Sequence, residues 1–365
     1  MRILFRYVLR EFAVPLCYSL AGFVSIYVLF ELFGSFSRLI DSDMTFGMTV
    51  KYFTGYLAPY FQYLAPAALM LAALYTMWNF CRHSELVAMR ASGVSLVSVA
   101  APIFLAATAM AGLVMWTNEV YVPDHAQWAA RLKAAKFDSA KAARSGKLDY
   151  RNNRDNRIWS ADEVLDVRGR ALGGVSITED RPGGAQLYSI TADKALWLDG
   201  EWWLENPVVQ HYDAKGVQTA TPTPELDALP LRVFPNLTER PGDLMAQSRK
   251  QQYNSVAGKL RHLKSNMHLS DETRREYAYS AWAQLVSPFA CIVVTLFAIP
   301  FGIASGRQSV FKGVVATLGL FFLFYAFVIG GMVAANEGFL HPIPAAVAPY
   351  AIFFIVGLRA FFRQR

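Results

Sequence analysis

The most distinctive polar chemistry in this sequence lies in a short charged segment, CRHSELVAMRASGVS, at positions 81–95. It joins two long runs, 52–80 and 94–117, that contain no charged residue. A plain turn between two apolar helices needs fewer residues and no particular pattern of charge. The segment therefore indicates a surface that something else contacts.

The segment has the spacing of a short amphipathic helix at about 81–93. One face of that helix would carry a basic, an acidic and two apolar side chains: Arg82, Glu85, Leu86 and Met89. Gly93 stands where a helix C-cap is expected. Two interpretations remain open, a helix that docks on a protein partner and a helix that lies on the membrane surface. An interfacial helix usually carries more Lys and Arg and no central acid.

The sequence motifs of common catalytic sites are absent. SGKL (145–148) and AGKL (257–260) lack the upstream glycine and the following Ser or Thr of a phosphate-binding loop. No zinc-protease motif, nucleophile elbow or pair of Cys-x-x-Cys clusters occurs, and the six histidines are scattered. We therefore predict no catalytic residues, no metal site and no cofactor. Any energy that the protein uses would come from another polypeptide.

The composition is that of a membrane protein. Hydrophobic residues make up 54% of the 365 positions and charged residues only 17%. The net charge of +7 does not indicate nucleic-acid binding, because residues 118–276 contain 23 Lys/Arg against 22 Asp/Glu. The basic excess lies beside the apolar runs. None of the three cysteines falls in the long polar stretch, so no disulfide framework is expected there.

Apolar runs long enough to cross a membrane occur six times. They cover roughly 12–33, 52–80, 94–117, 278–300, 313–335 and 342–358. Pro59 and Pro66 are expected to bend the second of these.

The flanking charges predict the orientation. One side has ten Lys/Arg: Arg2, Arg6, Arg10, Arg82, Arg90, Arg307, Lys312, Arg359, Arg363 and Arg365. The short loops of the other side have only Arg38 and Lys51. Because Lys and Arg favour the cytoplasmic side, we expect both termini and the charged segment in the cytoplasm. The polar insertion, 118–277, would lie in the periplasm of a Gram-negative cell.

The insertion has the pattern of short strands. ALWLDGEWWLEN (195–206) alternates around Asp199-Gly200, which predicts a hairpin, and NRIWSADEV, QLYSITAD and NPVVQHYD are further strand candidates. Helical pieces flank it on both sides. The predicted fold is an integral membrane α-helical protein with six transmembrane helices and an inserted periplasmic β-jelly-roll-like domain. The domains would be 1–117, 118–277 and 278–365.

Several strings together resemble the LptF/LptG permease family of the lipopolysaccharide export system. They are SELVAMRASGVS with the preceding LAPAALMLAALYTMWNFCRH, the hairpin string ADKALWLDGEWWLEN, and YAYSAWAQLVSPFACIVVTLFAIPFG (277–302). Each motif alone is loose, but their order and spacing are specific. The order of spans agrees as well, so the resemblance covers nearly the whole chain.

The resemblance implies partners and a transport role. Two paralogous six-span permeases would pair in the inner membrane and dock on a dimer of a cytoplasmic ABC ATPase. Glu85 would be the key contact in a groove of that ATPase, with Arg82, Leu86, Met89 and Arg90 as its neighbours. Lipopolysaccharide would enter a cavity between the permeases and pass through their periplasmic domains to a bridge of jelly-roll proteins.

The substrate path is less well marked. Basic residues near the outer end of the first span would meet anionic sugar and phosphate groups, and this chain has Arg38 there, with Glu31 nearby. Arg38 could equally be a snorkelling residue, and Glu31 could be an ordinary end-of-helix position. The apolar residues of the β domain fit either a plain core or a shelter for acyl chains.

Two rival functions remain. A scaffold or sensor would use the spans only to anchor a periplasmic binding domain, and the charged segment counts against it. An intramembrane enzyme would need paired polar residues within the spans, and only isolated Asn, Ser and Gln occur there.

Overall fold

The computed structural model has helices at both ends of the chain and strands in the middle. It describes residues 2–40, 42, 44–138, 148–152, 155–166, 169–181, 186–213, 218–219, 230–248, 253–265, 270–305 and 310–364. The helices are α1 (Arg2–Ile40), α2 (Phe46–Leu57), α3 (Phe61–Arg82), α4 (Glu85–Ala91), α5 (Leu96–Trp116), α6 (Val122–Ala134), α7 (Pro241–Ser248), α8 (Val256–Ser265), α9 (Asp271–Val286), α10 (Ala290–Ser305), α11 (Val310–Asn336) and α12 (Pro342–Phe362). Arg307 and Arg365, which enter the charge count above, lie outside the described residues.

Six helical stretches of the described chain are long and apolar enough to cross a membrane. They are Arg2–Ile40, Phe46–Arg82, Leu96–Ala134, Asp271–Ala304, Gly313–Asn336 and Pro342–Phe362. The six predicted spans are thus confirmed. Most of these helices run beyond their apolar stretches, because polar residues with adequate helix propensity continue them outside the apolar zone.

The described chain forms two compact units. The helical unit contains Met1–Ser35, Leu57–Tyr121 and Ala278–Arg365, and the sheet unit contains Phe36–Tyr56 and Val122–Tyr277.

Three spans of the helical unit change helix type along their length. The changes are a 3₁₀ turn at Ala58–Tyr60, a π-helical turn at Thr117–Tyr121 and a 3₁₀ turn at Ser287–Phe289. Pro59 and Pro288 stand at the start of the two 3₁₀ turns, where a residue without a backbone N–H costs no helical hydrogen bond.

A cluster of uncharged polar side chains joins these three changes of helix type. The amide nitrogen of Asn118 lies 3.3 Å from Ser287 Oγ and 3.4 Å from Gln62 Oε1, to both of which it donates. Gln284 Nε2 donates to the backbone oxygen of Asn118 at 3.2 Å. Asn118 is buried, so these bonds satisfy polar atoms that have no access to solvent. We call Gln62, Asn118, Gln284 and Ser287 the amide cluster.

Close helix packing in the helical unit depends on a glycine. A Cβ at Gly302 of α10 would lie 2.7 Å from the carbonyl oxygen of Leu74 in α3. A glycine at this position therefore lets the two backbones approach, as small residues do between membrane helices.

The sheet unit holds an eight-stranded antiparallel sheet. Its strands are β1 (Leu148–Asn152), β2 (Arg157–Val164), β3 (Ala171–Asp180), β4 (Gln186–Leu198), β5 (Glu201–Glu205), β6 (Val208–Tyr212), β7 (Gln218–Thr219) and β8 (Leu231–Val233). The order is β1-β2-β3-β4-β5-β8, with β6 paired to both β4 and β7. The long strand β4 pairs with β6 through its first half and with β5 through its second. An inserted antiparallel sheet between the third and fourth spans is thereby confirmed.

The predicted hairpin is present between β4 and β5. Leu198 pairs with Glu201, and both turn residues, Asp199 and Gly200, have positive φ values of 51° and 88°. This is the backbone of a type I′ turn, for which Asp-Gly is a preferred sequence. The hairpin places Trp202 and Leu204 in the core of the sheet unit, whereas Leu198 is exposed.

A buried ionic cluster joins the sheet to the segment that follows β8. Arg157 donates from Nη1 to Glu239 at 2.9 Å and from Nη2 to Glu179 at 2.8 Å. The hydroxyl of Tyr188 donates to the same Glu179 at 2.6 Å. Burial lowers the pKa of Arg157, but the carboxylates of Glu239 and Glu179 raise it more, so its pKa lies above the ordinary value. We call Arg157, Glu179, Tyr188 and Glu239 the ionic cluster.

Candidate functional site

The charged segment folds as a short helix between two tight turns. α3 ends at Arg82, and Ser84 adopts the left-handed conformation with φ 59° before α4 begins at Glu85. At the other end Gly93 has φ 84°, and the amides of Gly93 and Val94 donate to the carbonyls of Arg90 and Met89. This is a Schellman motif, so Gly93 ends the helix as its sequence position indicates. We call α4 (Glu85–Ala91) the link helix.

Arg82 does not share a helix face with Glu85. The left-handed Ser84 interrupts the helix, so Arg82 stays in the last turn of α3. Its guanidinium lies 5.1 Å from the ring centroid of Trp78, one turn earlier on α3. The predicted continuous face from Arg82 to Met89 is therefore wrong. The turn at Ser84 needs a positive φ that serine rarely adopts, and the sequence carries no glycine or asparagine there to signal it.

The two apolar residues of the predicted face point inward. Leu86 is only 3% exposed and belongs to the same core cluster as Val8 and Phe80, and Met89 is half-buried against that cluster. Their packing anchors the link helix to α1 and α3. Leu86 is thus inaccessible to a partner, whereas Met89 is partly exposed.

The outward side of the link helix consists of other residues. Val87 is 59% exposed, and Ala88 and Arg90 are exposed as well. Val87 was not among the residues predicted from the sequence, since the predicted face contained only Arg82, Glu85, Leu86 and Met89. An exposed valine beside an exposed arginine is suited to a partner groove that has both apolar and charged walls.

Glu85 is held by the first helix of the chain. The hydroxyl of Tyr7 donates to Glu85 Oε2 at 2.7 Å, and Glu85 itself is half-buried. Tyr7 also stacks on Phe80, with ring centroids 5.9 Å apart and an interplanar angle of 27°. Tyr7 was missed because it lies 78 residues from Glu85, a separation over which no helical or strand pattern operates.

The two predicted substrate-path residues lie in different surroundings on α1. Glu31 is 4% exposed and accepts a hydrogen bond from Ser35 Oγ at 2.9 Å. It lies inside the helix, which continues to Ile40, so it is not an end-of-helix position. Arg38 lies in the last turn of α1 and is exposed.

Further cations are held by aromatic rings in the sheet unit. Lys51 Nζ lies 4.6 Å from the ring centroid of Trp128, and Lys133 Nζ lies 5.2 Å from that of Tyr56. The rings belong to the contact between α2 and α6, where Tyr52 is fully buried. Lys133 and Trp128 share one amphipathic helix, but only the packing of α2 against α6 reveals that the cations are positioned.

The described residues contain no group of three or more His, Cys, Asp or Glu side chains that could hold a metal ion. The polar groups around the link helix are a carboxylate, a phenol and guanidinium groups, which bind through charge and hydrogen bonds.

Comparison with known proteins agrees with this architecture. Residues 6–363 match the family described as lipopolysaccharide export system permease LptF/LptG. The chain belongs to the LptF/LptG family. It is 26% identical over 317 residues to the lipopolysaccharide export system permease protein LptG of Escherichia coli strain K12, covering 83% of this chain and 82% of that protein. The LptG of Escherichia coli O6:H1 (strain CFT073) matches to the same extent.

Membership of the LptF/LptG family accounts for the six spans and the inserted sheet. The family and the apolar helices identify a multi-pass inner-membrane protein and a permease subunit of the lipopolysaccharide export system. The family therefore favours a transport subunit over a catalytic enzyme.

Proposed function

We propose that this chain is the LptG-type half of an ATP-driven lipopolysaccharide exporter and that a cytoplasmic ABC ATPase dimer docks on its link helix. The observation that carries the proposal is the division of the link helix into two sides. Leu86 and Met89 pack against the core of the helical unit, Val87 and Arg90 are exposed, and half-buried Glu85 keeps its carboxylate at the surface beside Tyr7. A helix anchored in this way can pass on a force applied from outside.

The charge count supports this orientation. Ten Lys/Arg residues flank the spans on one side and two on the other, which favours a cytoplasmic location of both termini and the link helix, where an ATPase would dock. The sheet unit then lies in the periplasm. There it would hand lipid to jelly-roll bridge proteins of similar β architecture.

The link helix shares one apolar cluster with two membrane helices. Leu86 packs in the same cluster as Phe80 of α3 and Phe12 of α1. A packed cluster resists deformation, so displacement of the link helix moves its neighbours rather than compressing the contact. Closure of the ATPase on ATP would therefore shift α1 and α3. That shift would narrow a cavity between this chain and a second, paralogous permease, and expel the lipid upward.

Within the link segment each charged residue has a distinct role. Glu85 accepts a cation of the ATPase groove, because one of its oxygens is already oriented by Tyr7. Arg90 on the exposed side and Arg82 on α3 flank it and would meet acidic groups of the partner.

The substrate path would run along the outer part of α1. Exposed Arg38 would meet the anionic sugar and phosphate groups of lipopolysaccharide, and Lys51 and Lys133 would add positive charge. Glu31 is buried and hydrogen-bonded, which is typical of an acid that faces a bundle interior rather than lipid.

The proposal is tested by purifying the protein from native membranes in mild detergent and identifying its partners by mass spectrometry. Wild-type protein is expected to bring down a small ABC ATPase and a second six-span permease. Glu85→Lys reverses the charge at the docking contact and is expected to lose the ATPase while keeping the second permease.

The matched control is Glu272→Lys, which makes the same charge change at an exposed residue on α9, on the opposite predicted side of the membrane. It should retain both partners. Equal recovery of the ATPase with Glu85→Lys and with wild type would overturn the proposed docking site. Absence of any ATPase, under conditions that preserve a known ABC complex, would favour the scaffold function instead.

A further inference from the structure

Within the part of the chain that the structure describes, Tyr7 is the only residue of α1 whose side chain forms a hydrogen bond with Glu85. Its hydroxyl donates to Glu85 Oε2 at 2.7 Å. That distance is short, as expected for a hydrogen bond to a charged acceptor. Tyr7 is 38% exposed, so the bond lies at the protein surface, where an approaching partner can reach the carboxylate.

The surroundings of Tyr7 fix its position. Its ring stacks on Phe80, and the next residue, Val8, is fully buried in the core cluster that also contains Leu86. The phenol is therefore presented to Glu85 by a packed framework. Because the bond engages Oε2, it also fixes the direction of Oε1, the second acceptor of the carboxylate.

We infer that Tyr7 is a positioning residue, which orients Glu85 for a cation of the ATPase and ties the link helix to the first span. This inference rests on the proposed function, because it assigns a second residue to the same docking contact. A carboxylate already held in its binding rotamer loses less conformational freedom on docking. The ATPase therefore binds more tightly than it would to a freely rotating Glu85.

The variant that isolates this role is Tyr7→Phe, which removes the hydroxyl and keeps the ring on Phe80. The matched control is Tyr18→Phe, the same change at a tyrosine of the same helix that is 76% exposed. Binding of the purified ATPase would be measured on the two-permease complex in nanodiscs, over a concentration range wide enough to include weak binding. Tyr7→Phe is expected to weaken binding about twofold to tenfold, the effect of one side chain that must be ordered on docking. Tyr18→Phe should bind as wild type does.

If Tyr7 had a purely structural role, a different pattern of binding losses would be expected. A double variant distinguishes the two roles. In a Glu85→Ala background the hydroxyl has no carboxylate to orient, so Tyr7→Phe is expected to cause no further loss of binding. An equal loss in both backgrounds would overturn the inference, and so would wild-type binding by Tyr7→Phe alone. In either case a loss of binding by Glu85→Lys would leave the proposed docking site standing. Failure of the wild-type complex to bind the ATPase would instead refute the proposed function.

Discussion

The two compact units each bury a cluster of polar side chains, and the clusters differ in charge. The amide cluster of the helical unit contains only amides and a hydroxyl, centred on Asn118. The ionic cluster of the sheet unit contains a guanidinium between two carboxylates, centred on Arg157. A charge buried within a membrane bundle is expensive, whereas a well-bonded ion pair is tolerated in a domain surrounded by water. The chemistry of each cluster therefore matches the solvent proposed for its unit.

The clusters also differ in what they join. The amide cluster links three helices at the points where they change helix type, with donor–acceptor distances of 3.0–3.4 Å between its members. The ionic cluster links β2, β3 and β4 to the segment after β8 through bonds of 2.6–3.1 Å from Arg157 and Tyr188 to the carboxylates. Hydrogen bonds between uncharged groups are weaker than charge-assisted ones, so they resist movement less. The comparison indicates a helical unit that can adjust and a sheet unit that is held rigid.

The largest expected effect is that of Arg157→Ala. It leaves Glu239, whose side chain is 1% exposed, as a buried charge without its cation. The sheet unit should lose about 3–5 kcal/mol of unfolding free energy. Hydrogen exchange of the full chain, followed by mass spectrometry on peptides from β2 to β4, measures this directly.

The control is Lys194→Ala, which breaks the ion pair Lys194–Glu205 between side chains that are 50% and 37% exposed. It should cost no more than about 1 kcal/mol. If the two variants lost equal stability, the ionic cluster would not be what holds the sheet unit together.

A smaller loss is expected from Tyr188→Phe, which removes the hydroxyl from Glu179 but leaves Arg157 in place. The free energy of unfolding of the sheet unit should fall by about 1.5 kcal/mol, measured by the same hydrogen-exchange experiment.

The raised pKa of Tyr188 predicts that the stability of the sheet unit depends on pH in the alkaline range. Burial and the hydrogen bond to Glu179 raise the pKa of Tyr188 to about 12 from its ordinary value of 10.0. The folded protein therefore keeps the proton that the unfolded chain releases, so the stability contributed by Tyr188 is lost as pH rises from 10 towards 12. Tyr188→Phe should be less sensitive over this range than wild type. If the stability of Tyr188→Phe and of wild type depended on pH in the same way, the response could not be assigned to Tyr188.

In the helical unit, Asn118→Leu should lower the free energy of unfolding by only about 0.5–1 kcal/mol. This is the usual contribution of an interhelical polar contact in a membrane protein. Unfolding in mixed detergent micelles measures it, with Thr108→Val as control. Thr108 is exposed, and its hydroxyl bonds only to Phe104 of its own helix among the contacts described. A loss as large as that of Arg157→Ala would remove the distinction between an adjustable and a rigid unit.

The smallest effect concerns His262 in α8. Burial lowers its pKa, and its ring lies 4.8 Å from that of Tyr277. The neutral form is favoured in the folded state, so the sheet unit should lose stability as pH falls below about 6.5 towards the lower folded pKa. His262→Gln should flatten this dependence, and an unchanged dependence in this variant would contradict its assignment to His262.

Local patterns were enough to predict much of this architecture. Apolar length predicted six spans, and Asp199-Gly200 predicted the hairpin because its backbone requirement lies within two residues. Gly93 was likewise placed correctly as a helix end. Strands β1, β3, β7 and β8 were not predicted, since their short or glycine-containing sequences have weak periodicity.

Contacts between distant residues could not be predicted in the same way. Arg157 and Glu239 are 82 residues apart, and Tyr7 and Glu85 are 78 apart, so nothing in a local pattern relates them. The left-handed Ser84 is a local feature, but its residue type does not signal it. That single turn leaves Arg82 on α3 and off the link helix, and packing of Leu86 and Met89 against the core turns these two residues inward.

The most direct test of the central claim is ATP-dependent release of lipopolysaccharide from proteoliposomes that contain this chain, the second permease and the ATPase. Wild-type complex should release lipid to a soluble acceptor only when ATP is present. Complex with Glu85→Lys should retain its lipid, while complex with Glu272→Lys should release it as wild type does. Release by Glu85→Lys at the wild-type rate would contradict the claim that the link helix couples ATP hydrolysis to export.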